Sequence, residues 1–216
     1  MKSGDLINIY FDPMLAKIVA YDVSRVKAIN KLKYALSQIV LLGPFTNIEL
    51  LQNILSSDSF ARGDYDTNFI FENKKITEFE KDRSTVESVS IAASLYRWSK
   101  RNLNREILKH LPSGWRNNFY SLQTEKFYFN GNHIICKYKI VNGDFTFSFN
   151  KSNYSVSIIK ASGSVIFAEI NGVFKKFHIK EIDKSIYMHS IDVGNVKLEV
   201  AERYPSGEKE KEERGY

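Results

Sequence analysis

From Glu125 to Ala201 the chain repeats a pattern that few folds can accommodate. Short runs rich in Phe, Tyr, Val and Ile are broken by turn signals at Gly131-Asn132, Asn142-Gly143, Ser162-Gly163 and Asn171-Gly172. Spaced at roughly ten residues, such signals mark successive antiparallel hairpins. They delimit eight candidate strands, at about 125–130, 133–141, 144–149, 154–160, 164–170, 173–179, 185–191 and 195–201. Phe145, Phe147 and Phe149, then Val156 and Ile158, alternate as an antiparallel sheet with one buried face requires. Eight strands in meander order predict an up-and-down barrel, because closure removes the exposed edges.

A barrel of that size needs its lumen filled. The segment before it supplies a candidate. Ser84 with Glu87 reads as a capping box that opens a helix over 84–110. Its part Val89–Trp98, VSIAASLYRW, is apolar or small on most faces, and a helix apolar nearly all round must be surrounded. The following SKRNLNREILKH is strongly polar, so only the first half is expected inside or against the sheet. Residues 111–124, LPSGWRNNFYSLQT, show no period and form a loop carrying Trp115, Arg116 and Tyr120. These side chains suit either a protein interface or the domain's own core.

Upstream the pattern is mixed. LINIYFDPMLAKIVA at 6–20 reads as two short strands broken at Asp12-Pro13, since proline removes a ladder donor. Val26, Ile29, Leu32, Leu36, Ile39 and Val40 lie on one face of a helix over 23–42, stopped by Gly43-Pro44. Thr46 with Glu49 caps a short helix, NIELLQNIL. Residues 56–66 read as a polar loop turning at Gly63, followed by a short apolar run at 67–71. The charged stretch 72–83 reads as linker, and the tail from Ser206 is mixed-charge and unpatterned. The fold class is α+β.

Composition narrows the function classes. In 216 residues, 43% hydrophobic and 26% charged, the excess of six positive charges is dispersed with no basic cluster standing apart, so no nucleic-acid partner is expected. Cys136, the one cysteine, excludes an intrachain disulfide and a cysteine-based zinc site. No run reaches membrane-spanning length and no signal-peptide core opens the chain. A reducing, cytoplasmic setting without a membrane partner follows. The four histidines share no ligand spacing, no P-loop appears and no nucleophile set stands out, so catalytic and metal-binding residues are expected to be absent.

Three groups of residues, in order, carry a resemblance. Y-F-D-P-M-L-A-K at 10–17, T-N at 46–47 and G-D-Y-D-T-N-F-I at 63–70 resemble the carboxyl-terminal lobe of biotin carboxylases. G-W-R-N-N at 114–118, H-S-I-D-V-G-N-V-K-L-E-V at 189–200 and Arg203-Tyr204-Pro205 resemble the BT domain of acyl-CoA carboxylase alpha subunits of the acetyl, propionyl or methylcrotonyl type. The resemblance implies a distal lobe fragment at 1–75, a linker at 76–83, a BT-like domain at 84–204 and a flexible tail at 205–216. It places Phe69 and Ile70 near the adenine of ATP, although packing in the core explains them equally well. It makes residues 111–124 a docking hook, with Trp115, Arg116 and Tyr120 facing the carboxyltransferase subunit. The parent enzyme would use ATP, Mg2+ and biotin, with the rest of the carboxylase chain and a biotin carrier as further partners. The ATP-grasp residues and the family's catalytic arginine are not among these residues, nor is a biotinyl-lysine turn, so this piece alone is expected to be inactive. The competing reading is a non-enzymatic β-barrel scaffold, favoured if the barrel interior is open.

Overall fold

A computed structural model describes residues 4–8, 10, 12–106, 122–141 and 143–201. It divides into two compact units, Met1–Ile39 with Leu50–Thr77 and Val40–Glu49 with Glu78–Tyr216.

The second unit is a closed barrel of eight antiparallel strands in chain order. They are β1 (Gln123–Phe129), β2 (Asn132–Val141), β3 (Asp144–Ser148), β4 (Asn153–Ser162), β5 (Val165–Ile170), β6 (Val173–Ile182), β7 (Ser185–Ser190) and β8 (Gly194–Val200). β1 pairs with β8 through Phe127↔Val200 and Tyr128↔Glu199, which closes the ring. The first hairpin turns on Asn130-Gly131, one residue earlier than the sequence pattern implies, because Phe129 pairs with Asn132. Asn130 and Gly131 both have positive φ, as do Asn171 and Gly172 in the β5–β6 turn. That is the backbone of a type I′ turn, whose twist matches the flanking strands. A Cβ at Gly172 would meet nothing within 4 Å. Gly172→Ala therefore isolates the backbone cost and is expected to destabilise by about 1–2 kcal/mol in urea titration.

Inside the ring lies α5 (Arg83–Leu103). Every residue from Glu87 to Tyr96 is buried, whichever way it faces. The helix packs on β1, β2, β4, β5 and β6. Small residues make this possible: Ser90, Ala92, Ala93 and Ser94 keep the cylinder narrow enough for the inward rings of Phe127, Tyr138, Phe145, Phe147 and Phe177. The buried hydroxyls of Ser90 and Ser94 donate back to the carbonyls of Val86 and Ser90, at 2.7 and 2.9 Å. The lumen is a packed core, and the condition that would have favoured an open scaffold barrel is not met.

Two boundaries of this helix differ from the sequence reading. Its N-cap is Asp82, whose carboxylate accepts from the Thr85 amide, in place of a Ser84–Glu87 box. Glu87 is instead buried against the barrel wall. The helix ends at Leu103 rather than His110, because the polar second half leaves the lumen and loses the packing that sustains it.

The first unit contains α1 (Arg25–Ser37), α3 (Asp58–Arg62), α4 (Phe69–Glu72) and a 3-10 turn at Lys74–Thr77; α2 (Ile48–Ser56) begins just before its second segment. Among the described residues it has no strand, so the two strands expected over 6–20 are absent. A strand exists only by pairing, and no described segment offers a ladder to that stretch. Leu6, Tyr10, Met14, Val19, Tyr21 and Val23 are accordingly exposed. The helix expected over 23–42 ends at Ser37, ahead of Gly43-Pro44, with Leu36 its one buried residue. The loop at 56–66 contains α3, which stops at Gly63 in the left-handed conformation (φ 84°). The apolar run at 67–71 winds into α4.

Candidate functional site

Phe69 and Ile70 stand side by side on α4 with different surroundings. Phe69 is 7% exposed and belongs to an aromatic cluster, 6.5 Å from Phe60 and 6.0 Å edge-on to Tyr65. Phe60 and Tyr65 stack at 4.9 Å. The Arg25 guanidinium sits 5.1 Å from the Phe60 ring and donates to the Phe60 and Ala61 carbonyls. Three aromatic rings and a cation thus tie α1, α3 and α4 together. Phe69 is a core residue of this unit, while Ile70, at 38% exposure, presents the accessible apolar surface.

Trp115, Arg116 and Tyr120 lie outside the described residues. What the structure does show is how the two ends of their segment are held. Arg97, Lys100 and Arg101 leave the barrel mouth on the last turns of α5, where two acids meet them. Arg97 reaches Glu181 on β6 at 2.5 Å and Glu125 on β1 at 3.4 Å. Lys100 lies 3.0 Å from Glu181, and Arg101 lies 2.7 Å from Glu125. Arg101 also donates to the Tyr138 hydroxyl at 3.1 Å. Burial raises the pKa of that phenol to about 12, so it stays protonated. The network fixes the end of α5 against the start of β1, the two points between which residues 104–122 run.

The sequence reading missed this network, yet a signal was present. Glu125 shares its parity with Phe127, and Glu181 with Ile179, so both acids occupy inward positions of alternating strands. An acid on the core side demands a cation from within. The basic stretch RWSKR at 97–101 supplies it.

At the opposite mouth Glu87 does comparable work. Its side chain, 7% exposed, takes Arg83 Nε at 2.7 Å, the Ser152 hydroxyl at 2.5 Å and the Tyr154 hydroxyl at 2.7 Å. Burial pushes its pKa up, but the hydrogen bonds from Ser152, Arg83 and Tyr154 outweigh burial and hold it below the ordinary glutamate value. An open cleft of about 520 Å3 beside it is lined by Lys81, Arg83, Glu87, His133 and Asn150 among others. Lys81 is taken by Glu49 and Arg83 by Glu87, so this cleft offers no free cation pair to a phosphate.

Cys136 faces α5 in the core with its thiol pushed up to about 12 by burial. Among the described residues no group of three or more His, Cys, Asp and Glu could hold a metal ion, and no helix is long and apolar enough to cross a membrane.

Comparison with known proteins extends this picture. Residues 1–72 match the biotin carboxylase C-terminal domain model. The chain is 24% identical over 193 residues, 81% of its length, to the methylcrotonoyl-CoA carboxylase subunit alpha of Dictyostelium discoideum, covering 27% of that protein. It is 32% identical over 103 residues to the propionyl-CoA carboxylase alpha chain of Sus scrofa, 44% of this chain and 14% of that one. It is 35% identical over 92 residues to the methylcrotonoyl-CoA carboxylase subunit alpha of Arabidopsis thaliana, 43% of this chain and 12% of that one. All three are named as mitochondrial. The matches span less than a third of the length of these relatives.

Proposed function

We propose that this chain, whose residues 1–72 belong to the biotin carboxylase C-terminal domain family, serves as the distal part of the biotin carboxylase subunit of an acyl-CoA carboxylase. In this reading residues 1–75 complete the carboxylase lobe and residues 84–204 dock it to the carboxyltransferase subunit. The parent reaction joins bicarbonate to biotin with ATP and Mg2+, and passes the carboxyl group to an acyl-CoA. The biotin would be carried on another domain or chain.

One observation carries the docking half. A barrel filled by its own helix has no lumen to offer a ligand, and it clamps that helix at Glu125 and Glu181, next to the two ends of the stretch of chain that carries Trp115, Arg116 and Tyr120. A rigid frame presenting an aromatic and arginine-bearing loop suits a protein interface, because the loop's base is already ordered before the partner arrives. The lobe half is supported by the exposed apolar side chains of the first unit, Leu6, Tyr10, Val19 and Tyr21 among them, which suit burial against the rest of a carboxylase chain. Ile70, with its exposed apolar surface, is the better placed of the two candidate adenine neighbours, and Phe69 would act by holding α4. A lone buried thiol fits a reducing compartment, the cytoplasm in the simplest case.

The test is a pull-down of the full chain with the carboxyltransferase subunit from the same source. Trp115→Ala and Tyr120→Ala are each expected to weaken retention by about tenfold or more, as loss of a buried aromatic anchor does. Retention unchanged in both variants would move the interface off this loop. Absence of retention by folded wild type would remove the docking role.

A further inference from the structure

The outer face of the barrel is not uniform. Cross-strand register sets Lys160 on β4 opposite Phe167 on β5, and Phe167 opposite Lys176 on β6. Lys180 on β6 lies opposite Tyr187 on β7, which lies opposite Lys197 on β8. Between these rows runs Val165, His178, His189 and Asn195. The outward side of β4 to β8 thus holds two Lys–aromatic–Lys rows with a histidine pair between them, the ring centroids 6.4 Å apart, His178 partly exposed and His189 buried.

The charge balance there is one-sided. Lys160, Lys176 and Lys180 are exposed and make no ion pair among the described residues. Glu169 and Glu199 are the acids at outward strand positions of this face, and Glu199 is already taken by Lys197 at 2.9 Å. A sheet surface serving solubility alone gains from opposite charges set across strands, and like charges clustered within a few strand spacings work against it. Two strand spacings separate the lysines of a row, roughly 9.5 Å. That is about one screening length at physiological salt, so their fields add. Burial and the neighbouring Lys176 ammonium together lower the pKa of His178, as a positive local field would.

We propose that the outer face of β4 to β6, centred on Lys160, Lys176 and Lys180, docks an acidic protein surface. Single-stranded nucleic acid would need aromatic faces open for base stacking. Phe167 does not offer one, since Lys176 Nζ lies 5.5 Å from its ring centroid, and Tyr187 is half-buried in the sheet. Carboxylates on a protein ask only for spaced ammonium groups on a firm support, which the strands provide. The proposal does not depend on the carboxyltransferase reading.

The experiment uses the full chain and two probes at matched charge, a fluorescent polyglutamate peptide and an oligo-dT, followed by anisotropy at low and physiological salt. The charge reversal K176E/K180E is compared with K74E/K75E, which makes the same change in net charge on exposed lysines of the other unit. Polyglutamate binding is expected to fall by about tenfold in the first variant and by less than about twofold in the second. Equal losses in both would overturn the proposal in favour of net charge alone. Loss confined to oligo-dT would assign the face to nucleic acid, and no binding of either probe would also overturn it. Unfolding midpoints of both variants check that the fold is kept.

Discussion

Leu95→Ala is expected to lower the stability of the barrel unit by about 2–5 kcal/mol, the range for emptying a leucine site in a closed core. Leu95 is 0% exposed on a helix surrounded by sheet. No neighbour can collapse into the gap without opening the ring, so a value in the upper half of that range is expected. Leu103, on the same helix but past the barrel mouth, is 71% exposed, and Leu103→Ala should stay within about 0.5 kcal/mol. Both tryptophans, Trp98 and Trp115, belong to the second unit, so urea unfolding followed by tryptophan fluorescence reports on it alone. Equal effects at the two leucines would mean that α5 is not enclosed in solution.

Glu87→Ala comes next in size, at about 1–3 kcal/mol, because removing a buried acceptor strands the hydroxyls bonded to it, while Arg83, half exposed, keeps its water. Arg83, Ser152 and Tyr154 would each lose the acceptor they now share. Glu87→Gln keeps the shape and removes the charge, which makes pH the diagnostic. The folded pKa of Glu87 lies below the ordinary value of 4.5. A depressed acid of this kind stabilises the fold fully above its unfolded pKa, and the contribution fades as pH falls through the folded one. Wild type should therefore lose stability as the pH drops below about 4.5, and the glutamine variant should lack that part of the slope. Parallel curves for the two proteins between pH 3 and pH 5 (roughly the carboxylate range) would show that Glu87 is not the group responsible.

How much of this was legible in advance depends on whether local chemistry or a distant partner decides the outcome. The eight strands came through to within a few residues, since alternation and Asn-Gly or Ser-Gly pairs act over a handful of neighbours. The β6–β7 turn at Asp183 carries no glycine, yet its flanking strands were still found by their alternation. Enclosure of α5 could be read as well, because VSIAASLYRW has no polar face to give to water. The strands expected near the N-terminus failed for the opposite reason. LINIY and MLAKIVA have a strand's composition, but composition cannot supply a pairing partner. Glu87 was mistaken for a capping residue because S-x-x-E fits that motif locally, whereas Ser152 and Tyr154, which claim it, are more than sixty residues away.

The sequence by itself determined the meander and the need for something apolar to fill the ring, because turn chemistry and side-chain parity are properties of neighbours along the chain. Only the tertiary structure decided which acids would receive the helix. Glu125 and Glu181 could be seen as acids on the core side, but that Arg97 bridges both follows from the ring bringing β1 and β6 around the same turn of α5. Closure puts residues far apart in the chain within a few ångströms of each other, and at that range an ion pair in a partly buried mouth outweighs any local preference.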